Sequence, residues 1–87
     1  MSLRDAIDNF YEGLVAEAVE LSREQGDGED FLADVMCVAL NRLPSRYYRF
    51  AIDMRFYLAD QELLEMKEKA RVAVTEARAF VGSHNRD

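Results

Sequence analysis

Residues 34–49 read DVMCVALNRLPSRYYR, and the change of pattern inside them decides the fold. Before Pro44 the apolar residues fit a helix. Phe31, Leu32, Val35, Met36, Val38, Ala39 and Leu40 cover most of a helical circumference, which predicts a central, buried helix over about 29–43. Cys37 lies on that helix and reads as inert packing. Proline disfavours helical geometry at the residue before it, so the helix should end at Leu43. After Pro44 the period drops to two. Tyr48, Phe50, Ile52, Met54, Phe56 and Leu58 alternate with Arg49, Ala51, Asp53, Arg55 and Tyr57, the pattern of an extended segment over 47–58.

Upstream, Ser2 followed by Asp5 reads as the start of a first helix over about 3–25. Leu3, Ile7, Phe10, Leu14 and Leu21 recur on one face, widened by Tyr11, Val15 and Ala18. Asp8, Glu12, Glu20 and Glu24 lie opposite. Gly26 suits a left-handed helix end. In the following GDGED loop, Asp27, Glu29 and Asp30 are placed to cap the second helix. Downstream, Asp60 reads as the N-cap of a third helix over about 60–81. Leu63, Met66, Ala70, Ala73, Ala77 and Phe80 form a coiled-coil-like seam along it, and its three alanines allow close helix approach. Glu65 and Lys69 are spaced as an ion pair. Gly82 closes the helix, and residues 83–87, with the lone His84, form a frayed tail.

The expected fold class is mainly α: one domain over 1–87, with three helices and one extended segment between the second and third. No second strand is evident, and a lone strand leaves its backbone groups unpaired. Two outcomes stay open: an arm lying along the helices, or pairing with its own copy across a two-fold axis. The second predicts a homodimer.

An 87-residue chain buries only roughly 60–65% of its unfolded surface, so its core is marginal. One cysteine excludes an intramolecular disulfide and a multi-cysteine zinc site, which fits a reducing compartment. The start MSLRDAIDNF carries acids where a secretory signal needs an apolar run, and no stretch reaches membrane-spanning length. The expectation is a cytoplasmic protein with no membrane association. Net charge is −6, which argues against duplex DNA as a partner. The charge is uneven, however. Residues 1–40 hold two arginines against ten acids, whereas residues 41–58 hold Arg42, Arg46, Arg49 and Arg55 against Asp53 alone.

No catalytic arrangement is visible. The single histidine sits in the tail, and there is no glycine-rich phosphate loop. The expectation is a non-enzyme without a cofactor. The junction NRLPSRYYR, residues 41–49, is the one functional-looking feature. Arginine forks suit phosphate oxygens and the O6/N7 edge of guanine, and tyrosine rings offer stacking faces. Asn41 offers an amide to a base edge, or caps the helix end. The same residues also admit a structural role. Arg42 and Arg46 then balance the acidic first helix, Tyr47 and Tyr48 join the core, and the helix C-terminus attracts cations without any ligand.

The phrase Ala39, Leu40, Asn41, Arg42, Leu43, Pro44, Arg46 and Tyr47 resembles the hallmark of the late competence development ComFB family, with Ser45 where the family phrase has a second proline. The acidic first helix is similar to the family's first helix. The resemblance implies a small, helical, dimeric bacterial protein of the cytoplasm. It also implies a receptor for cyclic dinucleotides, cyclic di-GMP first. On that implication Asn41, Arg42, Arg46, Tyr47, Tyr48, Arg49 and Arg55 are the ligand-binding residues. Some relatives have a cysteine cluster between the first two helices that looks like a zinc site. This chain has GDGED there, so no metal is carried over. The alternative is a ligand-free dimeric adaptor whose acidic first helix docks a basic protein partner.

Overall fold

The structure is a computed structural model that describes residues 2–50 and 58–84. Three α-helices make its body: α1 (Phe10–Ser22), α2 (Glu29–Arg42) and α3 (Asp60–Ser83). A short 3-10 turn, Leu3–Ala6, precedes them. Two two-residue strands, β1 (Asp8–Asn9) and β2 (Tyr47–Tyr48), pair antiparallel, with Asp8 opposite Tyr48 and Asn9 opposite Tyr47.

The first helix therefore departs from the expected 3–25. Ser2 does cap a turn, its hydroxyl accepting from the Arg4 N–H, but the chain is extended again at Ile7 (φ −130°, ψ 151°). The α-helix starts at a second cap. Asn9 Oδ1 accepts from the Tyr11 N–H at 3.2 Å, satisfying one of the four free donors at the helix start. The expectation of no second strand is also corrected, because β1 supplies a partner for β2 within the chain. The rest of the expected 47–58 strand lies largely in 51–57, outside the described residues.

The core comes from one stripe of each helix: Tyr11, Val15 and Val19 of α1; Leu32, Val35 and Ala39 of α2; Met66, Ala70, Ala73, Val74 and Ala77 of α3. The alanine seam is buried as the spacing requires. Its ends are not: Leu63 is half-buried and Phe80 is exposed. On α1 the buried stripe is turned from the expected one. Leu3, Ile7 and Leu21 face solvent, while Val15 is fully buried. Helix α2 packs on both neighbours but exposes Ala33, Cys37 and Asn41, so Cys37 is not a core residue.

Other ends differ in detail. Ala59, not Asp60, is the N-cap of α3, and Gly82 lies inside that helix. Gly28 caps α2 without a side-chain hydrogen bond. Gly26 is left-handed (φ 97°), in the turn after α1 rather than at its end. Asp27 has a different task from the expected cap. Its carboxylate accepts from the Glu24 N–H at 2.9 Å and meets Arg78 of α3. Arg78 Nη1 approaches Asp27 Oδ2 at 2.9 Å as an ion contact rather than an aligned hydrogen bond. Its Nη2 donates to Asp27 Oδ1 and to Glu24 Oε2, each at 3.3 Å. The guanidinium also lies over the Phe31 ring.

This clamp ties the α1–α2 loop to α3. The Arg78 hydrogen bonds, then the Glu24 N–H, hold the Asp27 carboxyl below the usual carboxylate range. A carboxylate lowered on folding stabilises the fold above its unfolded pKa, and that contribution is lost as pH falls through the folded pKa. Chemical denaturation at pH 7, 4 and 2.5 should therefore show the midpoint falling below pH 4. In Asp27→Asn that acid-dependent loss should be smaller.

Candidate functional site

Pro44 stands as a ridge between two clefts. The larger, about 610 Å³, is lined by Tyr11 of α1, Pro44, Ser45 and Arg46 of the junction, and Gln61, Glu62, Glu65, Met66 and Lys69 of α3. The smaller, about 360 Å³, is lined by Arg42, Leu43, Pro44, Lys69, Val72, Ala73 and Glu76, among others. Both are of the size that holds small organic ligands, about 300–1,000 Å³.

The ridge exists because the junction is pinned at both sides. Helix α2 stops at Arg42, and its C-cap Leu43 is extended (φ −104°, ψ 145°), as a residue before proline prefers. On the far side Asn9 Oδ1, already capping α1, also accepts from the Arg46 N–H at 2.9 Å. The Phe10 N–H donates to the Arg46 carbonyl at 2.7 Å. The β1–β2 pair continues this attachment. The start of α1 therefore holds residues 46–48 across a separation of 37 residues.

The sequence-predicted residues divide among three places. Arg46 lines the larger cleft, where its guanidinium pairs with Glu62 at 3.1 Å. Arg42 lines the smaller one, 3.6 Å from Glu76 and over the Phe80 ring. The Phe80 ring also stacks with His84, centroids 4.1 Å apart, and α3 runs to Ser83, so Ser83 and His84 belong to the helix end rather than to the expected tail. Asn41 is exposed on the last turn of α2. Tyr47 is 61% exposed and lines neither cleft. Tyr48 is half-buried, edge-on to Phe10 at 5.9 Å, and so serves the fold. Arg49 lies over the exposed Phe50 ring at 5.0 Å. Arg55 lies outside the described residues.

Tyr11, Glu62 and Lys69 are among the lining residues that were not read as site residues from the sequence. Tyr11 belongs to the core stripe of α1, yet its side chain also reaches the larger cleft. Burial raises its phenol above the usual range, Arg46 opposes that, and Glu62 adds to it, so the hydroxyl stays protonated at neutral pH. Glu62 is the partner of Arg46. Lys69 lines both clefts, and the expected Glu65–Lys69 pair is not formed; Glu65 instead accepts from Gln61 Nε2 at 3.3 Å. All three lie on other elements, where no local motif marks them. Among the described residues no group of histidine, cysteine and acid side chains could hold a metal ion, and no helix is long and apolar enough to cross a membrane.

A family model described as late competence development protein ComFB matches residues 8–85. The chain belongs to the late competence development ComFB family. The match begins at β1, the strand that holds the junction, so the ComFB unit takes in both walls of the ridge. No curated protein and no solved structure matches the chain.

Proposed function

We propose that this ComFB chain is a small cytoplasmic signalling protein that binds a cyclic dinucleotide, cyclic di-GMP first, at the Pro44 junction. The observation that supports it most is the pair of clefts around one proline, each carrying an arginine; the exposed Tyr47 ring and the Arg49 guanidinium follow on the same junction. Phosphates have cations to meet, guanine edges have polar groups, and base faces have a ring to stack on. The function is binding and response rather than catalysis.

Equilibrium binding of labelled cyclic di-GMP to wild type and to Arg46→Ala and Arg49→Ala tests the reading. Each substitution should weaken binding about tenfold or more, since a charge-assisted hydrogen bond carries at least that much. The unfolding midpoint should barely move, because both side chains are exposed and exposed ion pairs add little stability. Unchanged binding in both variants would exclude this site.

One observation favours a second reading, a ligand-free homodimeric adaptor. A groove of about 490 Å³ between α1 and α3 exposes Leu21 and Leu64 over an apolar floor. Under this reading cyclic dinucleotides do not bind, and the arginine substitutions change dimerisation, read by light scattering, instead.

A further inference from the structure

We infer that Lys69 is the residue that holds a ligand phosphate at Pro44, and that the ligand straddles the proline with one lobe in each cleft. This rests on the dinucleotide reading above. The cations of the two clefts differ in what they already face. Arg46 and Arg42 each line one cleft, and each already faces a carboxylate, Glu62 at 3.1 Å and Glu76 at 3.6 Å. A phosphate arriving at either arginine has to share or displace that partner. The displaced carboxylate then remains close by as a like charge.

Lys69 requires no such exchange. The carboxylate one turn before it, Glu65, accepts from Gln61, and among the described residues no ion pair engages the Lys69 ammonium. Its position is equally specific, since it lines the clefts on both sides of Pro44. An ammonium on a four-carbon stem is a point charge with three rotatable donors, so it can serve a phosphate lying across the ridge. The two clefts differ in character. The smaller offers Leu43, Val72 and Ala73 to the face of a base, while the larger offers Tyr11, Gln61 and Glu62 to polar edges.

Calorimetric titration with cyclic di-GMP at low salt tests the assignment. Lys69→Gln should weaken binding about ten- to a hundredfold. Lys69→Arg, which keeps the charge, should stay within about threefold of wild type. Lys67→Gln alters a lysine two residues away that lines the α1–α3 groove, and it should bind as wild type does. Lys69 is exposed, so all three variants should keep the wild-type unfolding midpoint. Wild-type affinity in Lys69→Gln, with loss in Arg46→Ala, would overturn the role of Lys69 and leave the ligand reading standing. No binding by wild type would overturn both.

Discussion

The double substitution Ala73→Leu, Ala77→Leu should abolish the cooperative unfolding transition or lower its midpoint by more than roughly 10 °C. Both alanines lie on the same stripe of α3, 5% and 0% exposed, inside the core shared with Val15 and Val35. Adding bulk to a close-packed site forces helices apart or side chains off their rotamers, at about 1–3 kcal/mol per site. The two sites are one turn apart, so their effects need not add. Even a single penalty is large here, because a domain of this length has only about 4–13 kcal/mol of total stability. Val72→Leu is the control. It sits on the same helix but is 39% exposed, and it should shift stability by no more than about 0.5 kcal/mol. A double variant as stable as wild type would mean that α3 does not pack through its alanines.

Arg78→Met should be the most damaging single change to a charged side chain among the described residues. Most of the ion pairs are exposed and join groups that water would satisfy equally well. Arg78 is different. Its side chain is 17% exposed, that of Asp27 is 12% exposed, and together with Glu24 and Phe31 they fasten the α1–α2 loop to α3. Methionine keeps much of the apolar stem but leaves Asp27 without its cation. The urea midpoint should fall clearly further in Arg78→Met than in Arg71→Met, whose guanidinium pairs with Glu68 on its own exposed helix face. Equal midpoints would show that the loop is held by other means. Asp27→Asn should reproduce part of the loss and flatten the response to acid, tying this result to the pH dependence of the parent protein.

Both effects show which parts of the fold can be read locally. The second and third helices follow from periodicity alone, because their apolar residues form continuous stripes and Pro44 leaves no choice about where α2 stops. The first helix starts where its sequence signal does not. Ser2 with Asp5 looks like a helix N-terminus, but it opens only a 3-10 turn, and the α-helix starts after Asn9. What separates the turn from the helix is a strand that pairs Asp8 with Tyr48 and Asn9 with Tyr47, far along the chain. Strands of two residues are too short to leave a pattern. The buried face of α1 has the same cause. Leu3, Ile7 and Leu21 compete with Tyr11, Val15 and Val19, and the choice depends on where α3 lies.

The site divides similarly. The residue types of NRLPSRYYR mark the junction, since arginines, tyrosines and an amide cluster there within nine positions. Their allotment could not be read. Which arginine enters which cleft depends on the turn at Pro44, and Tyr48 is drawn into contact with Phe10 by β-pairing. The opposite wall, with Glu62 and Lys69, comes from a helix about 20 residues away in sequence. Asn9 was equally hidden. Its one amide oxygen both caps α1 and holds the Arg46 N–H, so a helix start far upstream fixes the ridge.

A heteronuclear NMR titration of the folded protein with cyclic di-GMP at low salt, following the backbone amides, tests most directly whether the Pro44 junction binds the ligand. Saturable shifts should concentrate at Asn41–Arg49 and around Lys69, on the two sides of Pro44. Saturable shifts confined to the α1–α3 groove near Leu21 and Leu64, or none with the ligand in large excess, would contradict binding at the junction.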